Sequence, residues 1–253
     1  MKLLDFVALM EEYAPPSLAL EYDNVGLLIG TKRREIKNVL VALDCTEKVA
    51  QEAADTGADL VLTHHPLFFK GIKRILPDSP ETKAAYILIQ NGIALYCAHT
   101  NLDRAQGGVN DVLAGRLGLS GTRMLPPENI GRVGDLPEVR LHEFAELVAQ
   151  KLETSVRIVG DTNSVVRTAA VIGGGGDGDI QAAADAGANV LVTGEIRHHR
   201  ALEALSLGIS VIDAGHYETE RIILMPLIEY LQAHSSGIEY NLTLAETAPI
   251  WCV

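Results

Sequence analysis

Histidines in this chain of 253 residues gather directly behind short apolar runs. Six of the eight histidines have this placement: His64, His65, His99, His198, His199 and His216. Imidazole is a common ligand for zinc, iron, copper and nickel, and carboxylates accompany it in many hydrolytic metal sites. The pattern therefore indicates metal-binding chemistry at the ends of predicted strands.

The segment LTHHP at 62–66 places two imidazoles side by side. Neighbouring residues of a regular strand point to opposite faces, so His64 and His65 share a site only where the strand ends. Pro66 ends the hydrogen-bond ladder and keeps His65 extended. The alternative is an ordinary pair of core or surface imidazoles.

The segment AHTNLD at 98–103 follows the next apolar run and adds a carboxylate. A carboxylate combined with imidazoles is the ligand mixture used for zinc, manganese or iron, so Asp103 is a candidate ligand. His99, four residues earlier, is interpreted as a partner that orients the ligands. The alternative for Asp103 is a helix cap or a turn residue.

The segment GHYETE at 215–220 carries a second chelating pair. His216 and Glu220 are four residues apart, which places both side chains on one face of a helical turn. The alternative is a helix N-terminus enriched in acids, because Glu218 and Glu220 both favour the positive end of the helix dipole. Pro226, inside the following helical segment, is expected to kink that helix.

Together these motifs supply three nitrogen ligands and two carboxylates. The predicted ligands are His64, His65, Asp103, His216 and Glu220. Five ligands are too many for one tetrahedral ion that also holds water, whereas two ions bridged by a carboxylate would use them all. The set resembles two-metal hydrolytic sites, in which a bridging water becomes the nucleophile near neutral pH.

The elements that would position these residues follow a β-α-β-α-β order. Apolar runs at 38–44, 58–66 and 93–103 are separated by helical segments at 46–57 and 81–90. Runs that are apolar almost throughout are typical of strands buried on both faces of a parallel sheet. Ligands bind at the carboxyl ends of such strands, so the motifs are expected to converge there.

The second half of the chain repeats the first. Residues 53–65 align with 183–195 at an offset of 130, and the flanking strands align in the same order. Internal duplication is therefore predicted, with an α/β fold of two similar lobes, mixed or parallel sheets flanked by helices, and a metal site between the lobes. We expect lobes at 1–120 and 161–253, a connector with its own helix at 121–160, and termini that cross over between lobes.

Further polar residues near the predicted strand ends have two interpretations each. One of His198 and His199 either supports the ligands or faces substrate, or the two lie on a solvated helix face. Asp44 either accepts a hydrogen bond at the site or begins a turn. The segment GGGGDGD at 173–179 lacks the Lys-Ser/Thr of a P-loop; it is either an anion-binding turn or a tight strand-to-helix connection.

Composition limits the function classes. With 21 basic and 33 acidic residues the formal net charge is −12, which argues against an extended grip on a nucleic-acid backbone. Three cysteines without CxxC spacing, Cys45, Cys97 and Cys252, fit a reducing compartment, and Cys97 is interpreted as a small buried hydrophobe. The N-terminal apolar segment at 3–13 is interrupted by acids, so we expect neither a signal peptide nor a membrane span, and a cytoplasmic protein.

The chain resembles the NIF-three-like family, also called the GTP cyclohydrolase I type 2 family. Six motifs carry the resemblance in order: YDNVGLLIG at 22–30, LTHHPLFFKG at 62–71, AHTNLD at 98–103, GGGGDGD at 173–179, TGEIRHHRALEA at 193–204 and GHYETER at 215–221. The long insertion that some members carry between their lobes is absent from this sequence. No inserted regulatory domain is therefore expected.

The resemblance implies a two-lobed α/β protein that assembles as a toroidal homohexamer with two divalent metal ions per subunit. It implies the five ligands reached above, with Glu220 as the bridge, and leaves zinc, iron, manganese or nickel open. The expected function is metal-dependent hydrolysis of a small anionic, nucleotide-like or phosphorylated substrate. The alternatives are a metal-dependent phosphoesterase and a non-catalytic protein that binds or traffics metal, or that interacts with a partner.

Overall fold

The computed structural model describes residues 1–32 and 35–250, so Cys252 lies outside the described residues. The helices of this part are α1 (Leu3–Tyr13), α2 (Glu47–Asp55), α3 (Lys83–Asn91), α4 (Thr100–Arg104), α5 (Val109–Arg116), α6 (Leu141–Leu152), α7 (Ile180–Asp185), α8 (His198–Leu207), α9 (His216–Glu220) and α10 (Leu224–His234). Short 3-10 turns span Pro16–Leu18, Gly176–Gly178 and Arg221–Ile223.

The strands alternate with these helices along most of the chain. They are β1 (Gly26–Ile29), β2 (Asn38–Ala42), β3 (Leu60–Thr63), β4 (Ala94–Cys97), β5 (Ser120–Met124), β6 (Arg132–Arg140), β7 (Arg157–Val159), β8 (Val165–Ile172), β9 (Val190–Thr193), β10 (Ser210–Asp213) and β11 (Glu239–Leu242). They form two mixed sheets flanked by helices, which confirms the predicted α/β class.

The first compact unit comprises Met1–Gln106 and Leu224–Thr247. Its sheet has the order β1-β4-β3-β2-β11, in which β1 is antiparallel to β4 and the other neighbours are parallel. The predicted β-α-β-α-β order is observed as β2-α2-β3-α3-β4. The side chain of Thr46 accepts from the backbone N–H of Val49 and begins α2, and Gly92 ends α3 in the left-handed conformation.

The second compact unit is built on Gly107–Ile223. Its sheet has the order β5-β6-β8-β9-β10-β7, with β8, β9 and β10 parallel and the remaining pairs antiparallel. The unit boundaries therefore differ from the expected lobes at 1–120 and 161–253. The segment expected to be a connector, 121–160, supplies most of β5 and all of β6, α6 and β7.

The turn-like composition of residues 121–160 explains why the sequence predicted a connector where the structure has strands and a helix. Pro137 lies within β6, where the pairing with β8 shifts between Asp135 and Val139, so the irregularity accommodates a residue that cannot donate to the ladder. The apolar face of α6, including Phe144 and Val148, is buried in the same core cluster as Val171 of β8. Sheet pairing and this apolar face make 121–160 part of the unit.

The strand registers support internal duplication. In the first sheet Val39 is opposite Leu60, and in the second Ala169 is opposite Val190, which is the same pairing shifted by 130 residues. The third parallel strand follows the same rule, since β4 and β10 pair with β3 and β9 in matching registers. Each unit also adds an antiparallel strand beside the third one, β1 in the first and β7 in the second.

Buried apolar residues lie on both faces of the central strands. In β9, Val190 and Val192 belong to one core cluster and Leu191 belongs to another on the opposite face. All four residues of β3 and of β9 are buried. Helices cover both faces of a parallel sheet, which is why these strands are apolar without alternation.

The C-terminal helical segment differs from the expected kinked helix. The helix α9 ends at Glu220, a 3-10 turn follows, and α10 starts at Leu224. Pro226 therefore lies in the first turn of α10, where its missing N–H leaves no helical hydrogen bond unmade. The proline marks the start of a new helix rather than a kink in a continuous one.

Candidate metal centre

The strand β3 ends at Thr63, and the two histidines follow it immediately. His64 is buried, and its Nδ1 donates to the carbonyl oxygen of Ala98 at 2.9 Å. A carbonyl oxygen only accepts, so a neutral His64 ring carries its proton on Nδ1 and its lone pair on Nε2. Nε2 is 3.6 Å from Oδ1 of Asp103.

His65 is held by a carboxylate. Its Nδ1 donates to Oδ1 of Asp44 at 2.9 Å, which leaves the lone pair of a neutral ring on Nε2. The turn that carries Asp44 is itself anchored, because Glu246 accepts from the backbone N–H groups of Leu43 at 2.9 Å and of Asp44 at 2.6 Å. Asp44 thus accepts a hydrogen bond at the site, the first of its two interpretations.

His99 is held in the same way. Its Nδ1 donates to Oδ1 of Asp23 at 2.9 Å, and the other oxygen of Asp23 accepts from the backbone N–H and the hydroxyl of Thr100. Burial raises the pKa of the Asp23 carboxyl, but the hydrogen bonds from His99 and Thr100 outweigh that effect and hold the pKa well below its ordinary value.

The three imidazoles of the first unit form one cluster. The ring centroid of His64 is 5.0 Å from that of His65 and 5.2 Å from that of His99, and the remaining pair is 5.6 Å apart. One ring nitrogen of each histidine lies within 4.8 Å of those of the other two. In the first unit, His64 therefore lies close to His65, His99 and Asp103.

The second unit carries a histidine and two carboxylates at the start of α9. The Nε2 atom of His216 is 3.1 Å from Oε2 of Glu220, and its Nδ1 donates to Oε1 of Glu195 at 2.8 Å. Glu220 is buried, whereas Glu195 is exposed and directly follows the glycine after β9. The predicted chelating pair is thus in contact, with a carboxylate behind its imidazole.

Glycines from the GGGGDGD segment pack directly against this pair. Gly174 has φ +64°, and a Cβ placed on it would lie 2.0 Å from Oε1 of Glu220 and 3.0 Å from Nε2 of His216. Its backbone N–H donates to the Thr219 hydroxyl at 3.0 Å. The segment is a tight strand-to-helix connection, and its glycine leaves room for the two side chains.

The same segment also anchors the start of α8. Asp177 is buried and accepts two hydrogen bonds of 2.7 Å from the Arg197 guanidinium, together with the backbone N–H of Arg197 at 3.1 Å. His198 and His199 follow on the first turn of α8 and are exposed. The exposure of His198 and His199 agrees with the second interpretation, a solvated helix face.

The chemistry of the donors fits a divalent metal. Each of the four histidines, His64, His65, His99 and His216, directs its Nδ1 at an oxygen acceptor. Metal-ligating histidines typically donate their other ring N–H to a carboxylate or a backbone carbonyl, which fixes the ring and its tautomer. In each unit, the imidazoles and the carboxylates near them are of the ligand types suited to zinc, iron, manganese or nickel.

Cys97 lies beside the cluster but is unsuited to bind metal. Its thiol is buried and donates to the carbonyl oxygen of His64 at 3.0 Å. Burial raises the pKa of this thiol well above its ordinary value, and the nearby carboxylates of Asp23 and Asp103 add to the effect. Cys97 is therefore a buried thiol, as expected from the sequence.

Four residues that contact the candidate ligands or their supports within each unit were not predicted from the pattern of strand ends: Asp23 and Glu246 in the first unit, and Gly174 and Glu195 in the second. Asp23 precedes β1 and contacts α4, 76 residues later. Glu246 accepts a hydrogen bond from the backbone N–H of Asp44, which lies 202 residues earlier. The position of such a residue in the sequence does not show which candidate ligand it contacts. Asp23, Gly174 and Glu195 do lie within the six motifs that carry the family resemblance.

A family model described as Duf34/NIF3 (NGG1p interacting factor 3) matches residues 1–249. A Clostridium perfringens protein named GTP cyclohydrolase 1 type 2 homolog is 35% identical over 249 residues, covering 95% of each chain. A protein of the same name from Methanocaldococcus jannaschii is 34% identical and covers 92% of this chain and 96% of its own.

Solved structures match the fold over the whole chain. A Bacillus cereus protein related to NIF3 has a TM-score of 0.92 at 27% identity, covering 100% of this chain and 99% of that one. Reduced HcgD from Methanocaldococcus jannaschii has a TM-score of 0.84 at 33% identity, covering 96% and 97%. Separately, no helix among residues 1–32 and 35–250 is long and apolar enough to cross a membrane.

Proposed function

Because this chain belongs to the Duf34/NIF3 family, we propose that it is a metal-dependent hydrolase of a small anionic substrate, nucleotide-like or phosphorylated. The proposed ligands of two divalent ions per subunit are His64, His65, Asp103, His216 and Glu220. Among its curated relatives are proteins named GTP cyclohydrolase 1 type 2 homolog, which supports a guanine nucleotide as the first substrate to test.

The observation that carries this proposal is the orientation of the imidazoles. In His64, His65 and His216 the Nδ1 atom is occupied by an oxygen acceptor, so each neutral ring presents Nε2 as its basic nitrogen. A histidine pair that served only packing would not require the same tautomer at each position. This shared feature supports a role as metal ligands.

The protein residues would orient ligands and attract substrate. Divalent ions held here would lower the pKa of bound water and supply a nucleophile near neutral pH. The two carboxylates among the ligands, Asp103 and Glu220, do not neutralise two divalent cations. The resulting positive charge would attract an anionic small molecule even though the chain as a whole carries −12.

The decisive experiment combines metal analysis with a substrate panel. Purified wild-type protein is loaded with zinc, manganese, iron or nickel and assayed with GTP, other nucleotides and simple phosphoesters. Metal-dependent turnover is expected for at least one nucleotide, and both His65→Ala and Glu220→Ala should abolish it. His142→Ala is the control, because His142 lies on α6, where its Nδ1 donates to the carbonyl oxygen of Thr162.

The products separate the alternatives. Opening of the purine ring supports the cyclohydrolase reaction, and release of phosphate without ring opening supports a phosphoesterase. If wild-type protein binds two ions per chain but turns over no member of the panel, the hydrolase proposal fails. A protein that binds or traffics metal then becomes the better reading.

We also propose the assembly and location that the family resemblance implies, a toroidal homohexamer in the cytoplasm. Light scattering coupled to size-exclusion chromatography tests the assembly. A mass of six chains of 27.2 kDa each is expected. A monomer at micromolar concentration would contradict it.

A further inference from the structure

We propose that residues 67–76 (the basic loop) recognise a nucleoside triphosphate, with Phe69 against the base and Lys70, Lys73 and Arg74 on the phosphate groups. The proposal rests on the function proposed above and names its substrate class together with the residues that recognise it. A simple phosphoester would engage only the cationic side chains, so the aromatic residue distinguishes the two substrate classes.

The basic loop belongs to an unusually long connection. In the first unit β3 is joined to α3 by residues 64–82, whereas in the second unit β9 is joined to α8 by residues 194–197 alone. Connections between strands and helices of α/β units usually have about two to six residues. A much longer one without a helix or strand of its own is usually functional, because binding residues concentrate in loops on a rigid scaffold.

The internal duplication assigns the extra residues to the first unit. Leu60 of β3 is opposite Ala94 of β4, and the equivalent Val190 of β9 is opposite Ser210 of β10. The first unit therefore has 14 more residues between its two paired strands than the second unit has. Insertions in one repeat lie in loops, often on the face that binds a ligand.

The basic loop carries three positive charges and no negative one. Lys70, Lys73 and Arg74 are exposed, and no acidic residue occurs between Asp59 and Asp78. The salt bridges of lysines and arginines in the described part of the chain involve other side chains. In a chain with a net charge of −12, such a cluster attracts anions, and phosphate oxygens accept well from Lys and Arg.

Two exposed aromatic residues lie beside the imidazole cluster of the first unit. Phe69 is 53% exposed, and its ring packs edge-on against His99 with the centroids 5.5 Å apart. Tyr22 is 68% exposed and directly precedes Asp23, which accepts from Nδ1 of His99. Exposed aromatic rings at a binding site are suited to stacking on a base. Rings and positive charges together match a nucleotide better than an inorganic anion.

Both ends of the basic loop are fixed to the first unit. At its start, the side chain of Asn24 donates to the carbonyl oxygen of Phe68 at 2.6 Å, and Leu67 and Phe68 pack against a buried core cluster. At its end, the backbone N–H of Leu76 donates to the hydroxyl of the buried Thr82 at 3.0 Å. These anchors hold the exposed residues between them close to the imidazole cluster.

An acidic lipid surface is the competing ligand for the basic loop. Exposed apolar side chains among basic ones also suit a membrane surface, and Ile75 and Leu76 are 42% and 48% exposed. The nucleotide is favoured because the aromatic ring of the loop, Phe69, packs against His99 and not away from the imidazole cluster.

The experiment uses full-length protein, zinc-loaded and metal-stripped, titrated with a fluorescent ribose-labelled GTP within the time before turnover is measurable. GTP, inorganic tripolyphosphate and guanosine then compete with the labelled nucleotide. The variants are Lys70→Ala/Lys73→Ala/Arg74→Ala, Phe69→Ala and Phe69→Tyr. The matched control is Lys37→Ala/Lys48→Ala/Lys151→Ala, which removes three exposed positive charges elsewhere. Thermal unfolding shows whether each variant is folded.

The triple variant of the basic loop is expected to bind GTP and tripolyphosphate at least about 30-fold more weakly and guanosine as tightly as wild type, because only phosphate contacts are lost. Phe69→Ala should weaken GTP and guanosine by about 10-fold and leave tripolyphosphate unchanged, and Phe69→Tyr should restore most of the affinity. The lysine control should change GTP binding by less than about twofold, because distant exposed charges are screened.

The proposal is overturned if the folded triple variant and Phe69→Ala bind GTP as tightly as wild type in both metal states, or if the lysine control weakens GTP binding as much as the triple variant does. It is also overturned if wild type binds no GTP, and binding of phosphatidylserine vesicles instead would assign the loop to a lipid surface. GTP binding that depends on the loop, without turnover by metal-loaded protein, supports this proposal and refutes only the hydrolase function. The failures of the two proposals are thus distinguishable.

Discussion

The residues that follow the second parallel strand differ in chemistry between the two units. After β3 the first unit has His64 and His65, and at the positions 130 residues later, after β9, the second unit has Gly194 and Glu195. A Cβ on Gly194 would lie 2.6 Å from the Cα of His216, so no side chain fits there. The same backbone thus carries two ligand candidates in one unit and a close backbone approach in the other.

The helices behind the third strand show the complementary difference. When β10 is aligned with β4, Thr219 of α9 takes the position of Asp103 of α4. The Thr219 hydroxyl donates to the carbonyl oxygen of Gly215 and accepts from the backbone N–H of Gly174. The second unit's ligand candidates instead occupy the first and last positions of α9, His216 and Glu220. Equal scaffolds therefore supply an imidazole-rich set in the first unit and a carboxylate-rich set in the second.

The loop after the first parallel strand, β2 in the first unit and β8 in the second, also differs between the units. In the first unit the Asp44 carboxylate accepts a hydrogen bond from Nδ1 of His65. The residue 130 positions later, Gly174, must be glycine because Glu220 fills the space that a side chain would need. In the first unit a side chain at this position orients the His65 ring, whereas in the second unit the absence of a side chain makes room for His216 and Glu220. The following predictions test this contrast, from the largest expected effect to the smallest.

Gly174→Ala should be the most damaging of these changes. The new Cβ would collide with Glu220 in a conformation with positive φ, so we expect destabilisation by about 2–4 kcal/mol and loss of at least one ion per chain. Urea unfolding and metal analysis measure the two effects. Gly187→Ala is the control, since Gly187 has φ +83° and open space around its Cβ, and it should cost only about 1 kcal/mol. Equal effects of the two substitutions would contradict the proposed packing.

Asp44→Ala and Glu195→Ala compare the carboxylates behind the imidazoles. Each should weaken metal binding, by about 10- to 100-fold, because each removes the acceptor that orients a ligand ring. Asp44→Ala should have the larger effect, since the His65 ring is 16% exposed and the His216 ring is 34% exposed. Chelator competition ranks the two variants, and an effect of Glu195→Ala equal to or larger than that of Asp44→Ala would contradict the contrast in burial.

Asp177→Asn should change the acid dependence of stability. Hydrogen bonds from Arg197 lower the pKa of the Asp177 carboxyl, although burial opposes them. A carboxylate with a lowered folded-state pKa contributes stability that is fully present above its unfolded pKa, about 3.9, and is lost as pH falls through the folded value. The wild type should therefore be more stable than Asp177→Asn at pH 6, and the difference should shrink below about pH 4.

The matched change in the first unit is Glu47→Gln, 130 residues earlier. Glu47 pairs with Lys83 at 2.7 Å, and both side chains are exposed, so this variant should behave nearly as wild type across the same pH range. Urea unfolding at several pH values measures both variants. A larger effect of Glu47→Gln than of Asp177→Asn would show that the burial of Asp177 is irrelevant.

Local patterns were sufficient for much of the fold. Continuous apolar runs predicted β2, β3 and β4, and the segments predicted to be helical at 46–57 and 81–90 contain α2 and most of α3. The segment at 121–160 was harder to interpret, because the irregular strand β6 contains Pro137 and its pairing partner β8 follows only after α6 and β7. Strands whose pairing depends on distant partners lack a local signal.

For the candidate site, the sequence by itself determined which imidazoles and carboxylates are candidate ligands and that they follow the strand ends. The β-α-β-α-β order and the duplication in the sequence required this placement. Only the tertiary structure decided which groups hydrogen-bond to the imidazoles and to Asp44, because Asp23 reaches His99 across 76 residues and Glu246 anchors Asp44 across 202. Short motifs record local geometry, whereas the orientation and tautomer of an imidazole depend on acceptors that folding brings from elsewhere in the chain.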